Sequence, residues 1–261
     1  MKAVDLSPRF LVPSLSALFG SRAREKEIRS VTGLSAAQWR DLGREFPRLD
    51  SDPGPAAARA RRKYGFLVGR ALEGLPPLPA FRGNMPDPQP RLYATAHVGD
   101  LRALRLLLRA YTPIATVVDA SEEGRAALAR ADLALDQSRR DAIRDVFSAS
   151  HPHRLRSALR RVSLIVAADM PERAGGVAFP CLGGSLLLDA RPFRLARLAG
   201  VPCQPIFLTS PRDRLTISIG RTLPRDEGQA LAEFARALGD ITDETPLLID
   251  GVTWWNRLAT P

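Results

Sequence analysis

The chain has 261 residues, 45% apolar and 25% charged, with a formal net charge of +10. Length and apolar fraction suit one large domain with a sizeable core, and the absence of a fixed-period repeat or a sustained heptad run excludes a repeat array and a coiled coil. Only Lys2, Lys26 and Lys63 are lysines, so arginine carries the positive charge, which suits a partner of opposite sign (nucleic acid, an anionic membrane surface or an acidic carrier protein) or is plain surface arginine from a GC-rich genome.

In chain order, residues 1 to 20 hold a short apolar segment, Phe10 to Phe19, interrupted by Pro13 and expected to dock on the body of the protein or lie on a membrane surface. Ser21 to Ile28 reads as helical. "GLSAAQWRDLGREF" starts a helix with Ser35 as its N-cap. After the loop "DSDPGP", the stretch "AAARARRKYGFLVGRALEGL" is again helix-like, and the proline-rich residues 75 to 90 read as a linker. Beyond residue 90 short apolar runs at Leu92–Ala96, Ile114–Val118, Leu164–Ala168, Cys203–Leu208 and Leu215–Ile219 predict strands. Helices are predicted over 100–111, 121–135, 151–161, 191–200 and 227–239. This alternation predicts an α/β fold, a mixed central sheet flanked by helices. Residues 1–90 are expected to form an N-terminal helical layer packed on a core of residues 91–261, the two making one structural unit.

Several classes of chemistry find no support. Cys181 and Cys203 fit no metal spacing and read as buried small hydrophobes in a reducing cytoplasm. The N-terminus lacks the pattern of a secretory signal, and the longest uncharged stretches, Ala174 to Leu188 and Leu198 to Pro211, are broken by glycine or proline and fall short of the roughly 20 residues of a spanning helix. A soluble or peripheral protein is expected, cytoplasmic or on the inner face of the cell membrane. The arginines are dispersed and no nucleic-acid-binding motif is present, so no nucleic acid is expected as partner. There is no P-loop, no G-x-G-x-x-G after a strand and no G-x-S-x-G. No cofactor is implied. His151 and His153 are separated by Pro152 and have no carboxylate or cysteine cluster nearby, which argues against a metal.

The informative junction is "LYATAHVGDLRALRLLLRAY", residues 92 to 111. His97 falls where a predicted strand ends and a helix begins, and ligands of open α/β sheets bind at the carboxyl ends of strands. "AHVGDLR" resembles the "H-x-G-x-W-E" box of the bacterial lipid A biosynthesis acyltransferase family, a branch of the lysophospholipid acyltransferases with their His-x4-Asp/Glu motif. "LIVAADMPERAGGVAFPCLGG" (164–184), "RPFRLARLAGVPCQPIFL" (191–208) and "TWWNRL" (253–258) are similar to further stretches of that family, in the same order. The resemblance implies an acyltransferase-like fold and a fatty acyl group moved from acyl carrier protein or acyl-CoA to a hydroxyl of a lipid or glycolipid acceptor. His97 would be the general base and a carboxylate would fix its tautomer.

This chain departs from the pattern at the acid, because Arg102 stands in its place, and an arginine beside His97 opposes its protonation. Asp100 is the nearest substitute, three residues on, although it also suits the N-cap of the following helix. On a helical wheel it lies about 200° from position 102. Arg102, with Arg105 and Arg109, forms a basic stripe that would bind phosphate if it faces the site. Asp169 ends the predicted strand "LIVAAD" and aligns with the family's strand-end aspartate, here taken as a substrate-binding residue. Arg139, or its neighbour Arg140, matches an arginine that the family carries between the two boxes. The expected site is thus His97 and Asp100 as catalytic residues and Arg102, Arg139 and Asp169 as substrate contacts. The alternative is a non-catalytic relative that binds an acyl carrier, a lipid or a partner enzyme. A carboxylate in hydrogen-bond reach of a His97 ring nitrogen separates the two. Trp254 and Trp255 read as an anchor of the chain end or a lipid-interface pair.

Overall fold

A computed structural model of the protein describes residues 25–49 (apart from 27, 30 and 31), 55–73, 79–118, 146–169 (apart from 150), 176–210 and 214–245, together with Ile249 and Trp254. The fold is mixed α/β, a mainly parallel sheet flanked by helices, as its alternating pattern predicts.

Two helices lead. α1 (Ala36–Glu45) starts at Ser35, whose hydroxyl accepts the Gln38 N–H while the Gln38 side chain accepts the Ser35 N–H. This reciprocal pair satisfies two of the donors that a helix start leaves open. Trp39 and Leu42 are buried on its inner face. α2 (Pro55–Leu72) buries Tyr64 and Val68 and packs on α3 (Leu101–Arg109). Trp39, Leu42, Tyr64 and Val68 belong to the same hydrophobic cluster as the buried strand residues.

Among the described residues the sheet has seven strands: β1 (Ala80–Gly83), β2 (Leu92–Thr95), β3 (Ile114–Val118), β4 (Val146–Ser148), β5 (Ser163–Ala167), β8 (Cys203–Thr209) and β9 (Thr216–Ile219). Their order is β1-β9-β8-β2-β5-β3-β4. β8, β2, β5, β3 and β4 run parallel, and β9 turns back against β8 with β1 parallel to it at the edge. Every residue of β2 and β8 is buried, as expected for central strands covered on both faces. β1 is a difference from the sequence reading, which made residues 75 to 90 a linker. Prolines flank these four residues, yet an edge strand needs only one bonded side, and Ala80–Gly83 finds it on β9.

α4 (Pro152–Ala158), α5 (Arg191–Ala199) and α6 (Glu227–Glu244) complete the layers. α5 ends on Gly200 at φ 73°, a left-handed cap that a side chain would strain. Between β5 and α5 lies an antiparallel hairpin, β6 (Gly176–Cys181) and β7 (Gly184–Asp189). Its two-residue turn has Leu182 and Gly183 both at positive φ, as the twist of a tight hairpin requires. The turn docks on the end of α1, where the Arg48 N–H donates to the Leu182 carbonyl at 2.8 Å. Trp254 is buried against Phe46, ring centroids 5.0 Å apart, so this tryptophan anchors the C-terminal segment. Trp255, the apolar segment Phe10 to Phe19 and the predicted helix 121–135 lie outside the described residues.

Candidate active site

The centre of the sheet decides where the site lies. From β2 the chain goes to β3, β4 and β5 on one side and later to β8 and β9 on the other, which makes β2 the point where the direction of winding changes. Crevices open beyond the carboxyl ends of strands at such points. His97 is two residues past the end of β2.

Strand register supplies its partner. β2 and β5 pair in parallel as Leu92↔Leu164, Tyr93↔Ile165, Ala94↔Val166 and Thr95↔Ala167. The ladder continues with the Ala168 N–H on the Thr95 carbonyl at 2.7 Å. Carried two residues further, the same offset sets His97 opposite Asp169. The two meet twice: the His97 backbone N–H donates to Asp169 Oδ2 at 2.9 Å, and His97 Nδ1 lies 2.9 Å from Asp169 Oδ1. Asp169 is fully buried, whereas the His97 side chain is 23% exposed. A carboxylate has no proton to give, so with Asp169 ionised the Nδ1 atom carries hydrogen and Nε2 is the basic nitrogen of the neutral ring.

The residues after His97 explain the box. Gly99 sits at φ 77°, and a Cβ there would lie 2.3 Å from the Leu208 carbonyl oxygen and 2.9 Å from the Tyr64 hydroxyl. Glycine is required by both the backbone and the space. The Asp100 N–H donates to the Tyr64 hydroxyl at 2.7 Å, which ties α2 to the start of α3. Asp100 Oδ1 accepts the Ala103 N–H at 3.1 Å, and the Asp100 carbonyl accepts the Leu104 N–H. Its carboxylate therefore caps α3. Val98 pairs with Ile249, which brings the C-terminal segment onto the same loop.

Of the two expected carboxylates, Asp169 is the one that meets His97, while Asp100 bonds the first turn of α3. The sequence reading separated them because it counted along one helix, while the pairing crosses the sheet. Arg102 lies in the first turn of α3, its side chain outside what is described, and Arg139 lies outside the described residues. The remaining arginine of the stripe that is buried, Arg105, is 3% exposed, so this part of the row faces the protein. His151 and His153 are exposed, and no group of three metal-ligating side chains exists among the described residues.

A residue that sequence reasoning missed stands beside Asp169. Asp189 ends β7, its N–H donates to the Ala168 carbonyl at 2.6 Å, and its buried carboxylate holds the Arg191 guanidinium at 2.7 and 2.8 Å and the Arg191 N–H at 2.8 Å. The signal was a strand-end aspartate two residues before an arginine in "LLLDARP". An open cavity of about 440 Å³, lined by Arg109, Tyr111, Thr112 and Ile114 among others, lies at the amino end of β3 and does not include His97 or Asp169.

Neither a protein-family model nor a curated protein matches the chain. Among solved structures it is similar to the 1-acyl-sn-glycerophosphate (LPA) acyltransferase PlsC from Thermotoga maritima. The identity is 12% over 87% of this chain and 96% of that one, with a TM-score of 0.41. No helix among the described residues is long and apolar enough to cross a membrane.

Proposed function

We propose that the protein is an O-acyltransferase that moves a fatty acyl group from the thioester of acyl carrier protein or acyl-CoA to a hydroxyl of a lipid or glycolipid. The observation that carries this reading is the 2.9 Å contact between His97 Nδ1 and Asp169 Oδ1 at the carboxyl edge of the sheet, inside a box that resembles that of the lipid A acyltransferases. It supplies the carboxylate that Arg102 had put in doubt, and so favours the enzyme over a non-catalytic relative.

In this reading His97 Nε2 takes the proton of the acceptor hydroxyl as its oxygen attacks the thioester carbonyl. Asp169 holds the ring and stabilises the imidazolium that forms. The carbon–oxygen bond forms, the carbon–sulfur bond breaks, and the proton passes from His97 to the departing thiolate. Arg102 and Arg139 are assigned to anionic groups of donor or acceptor, where a guanidinium suits phosphate.

The test is single-turnover transfer from labelled acyl-carrier-protein and acyl-CoA donors, with a crude lipid extract as acceptor and His97→Ala run beside the native protein. Transfer abolished by His97→Ala is expected. Transfer that survives the substitution, or donor binding without transfer, overturns the enzyme reading.

A further inference from the structure

The exposed surface of α4 and α5 concentrates charge. His153, Arg154, Arg156, Ser157, Arg160 and Arg161 are exposed while Leu155, Ala158 and Leu159 are buried, so one whole face of α4 and the turn after it is basic. No carboxylate falls in this segment, and Arg154, Arg156, Arg160 and Arg161 make no ion pair with any described residue. α5 packs alongside α4 and adds Arg191, Arg194 and Arg197. Arg191 is held by Asp189, while Arg194 and Arg197 share Glu227 at 2.7 and 3.8 Å. Among the described residues these seven arginines find two carboxylate partners, Asp189 and Glu227, and the chain's net charge is +10. Leu198, 53% exposed, sits beside Arg197 on α5. Val177 and Leu187, 44% and 47% exposed, lie on the hairpin that leads into it.

We propose that this face docks on an anionic phospholipid bilayer. Arginine forms paired hydrogen bonds to phosphate, and a row of cations near a bilayer gains from the negative surface potential. An exposed aliphatic side chain beside such a row, here Leu198, is what an interfacial surface buries below the headgroups. The face also continues to the edge that holds His97: α4 follows the carboxyl end of β4, and α5 begins at Arg191, two residues after Asp189, whose N–H is bonded to the Ala168 carbonyl. The proposal goes beyond acyl transfer and does not depend on it.

Flotation of the full chain with vesicles of equimolar phosphatidylglycerol and phosphatidylcholine, against phosphatidylcholine alone, tests it. The native protein is expected to float only with the anionic vesicles. Replacing Arg154, Arg156, Arg160 and Arg161 together by glutamine is expected to weaken partitioning by on the order of 100-fold to 1,000-fold. A charge-matched control, glutamine at the exposed Arg29, Arg40, Arg59 and Arg214, is expected to keep most of it. The two half-variants, Arg154→Gln/Arg156→Gln and Arg160→Gln/Arg161→Gln, stand in should the fourfold variant fail to fold, and each is expected to lose roughly 10-fold or more. Equal loss in patch and control variants, or no flotation of the native protein, overturns the proposal. So does capture of acidic acyl carrier protein by this face without vesicle binding.

Discussion

Replacing Asp169 by asparagine isolates the contact that defines the site. The carboxylate is fully buried and accepts twice from His97, at the backbone N–H and at Nδ1, both at 2.9 Å. Asparagine has one acceptor oxygen. With that oxygen on the backbone N–H, its amide NH₂ faces Nδ1, which must then accept, and the ring proton moves to Nε2. The nitrogen that should act as base then carries the hydrogen. In Ser-His-Asp triads the analogous change lowers kcat by about 10⁴-fold, or about 5.5 kcal/mol of barrier. The same order is expected here in single-turnover transfer. Stability should suffer far less, by about 1–2 kcal/mol, because a hydrogen bond is weakened and no new charge is buried. ¹⁵N NMR of the imidazoles supplies a readout that needs no turnover: the native His97 should show Nδ1–H and the variant Nε2–H, distinct from the exposed His151 and His153. Transfer within roughly 10-fold of native, or an unchanged tautomer, would refute the reasoning.

Asp100→Ala should cost about 1 kcal/mol in urea unfolding through the lost cap of α3, with transfer nearly unchanged. A loss of rate as large as that of Asp169→Asn would return Asp100 to the chemistry. Gly99→Ala should destabilise by about 2 kcal/mol or more, since it adds a left-handed backbone penalty to the clash with the Leu208 carbonyl; an unshifted urea midpoint would contradict this close approach. Burial pushes the Cys203 thiol up to about 12 and raises that of Cys181 as well, so neither should react with a thiol reagent at pH 8 until the protein unfolds. The unfolded chain ionises Cys203 first, near 9.0, so this thiol leaves stability unchanged below that pH and lowers it between about 9 and 12. Two thiols reacting rapidly in the native protein would contradict their burial.

Five of the seven sheet strands were legible in the sequence because each is a buried apolar run bounded by turn signals. Ile114–Val118 falls at its predicted limits and the other four within a residue or so. The hairpin β6–β7 was not. Its two halves are apolar on both sides of "LGG", but Pro180 sits in one arm, and the turn places Leu182 at φ 50°, which no residue type announces. β1 and β4 are four and three residues long, too short to show alternation. α6 runs to Glu244, beyond its predicted end at 239, because Ile241 and Thr242 keep its buried stripe going while Asp240, Asp243 and Glu244 face outward. His97 and Asp169 were each visible as strand-end polar residues. Their pairing was not, since it follows from a parallel register between strands separated by long intervening chain.

That dependence on register distinguishes this site from a motif read along one helix. A histidine and an acid a few residues apart are tied by local helix geometry, and the acid can be named from spacing alone. Here the start of α3 is otherwise engaged: Asp100 bonds Ala103, and the Tyr64 hydroxyl takes the Asp100 N–H. The carboxylate arrives instead from β5, fixed by four paired residues and the Ala168–Thr95 bond, which set two neighbouring strand ends level. Rigid strands on both sides of β2 hold that level, and the double contact of Asp169 with backbone and ring of the same histidine locks the angle as well as the distance. An arginine at position 102 is therefore compatible with a complete histidine–carboxylate pair, because the acid reaches His97 across the sheet and owes nothing to the residue five positions on.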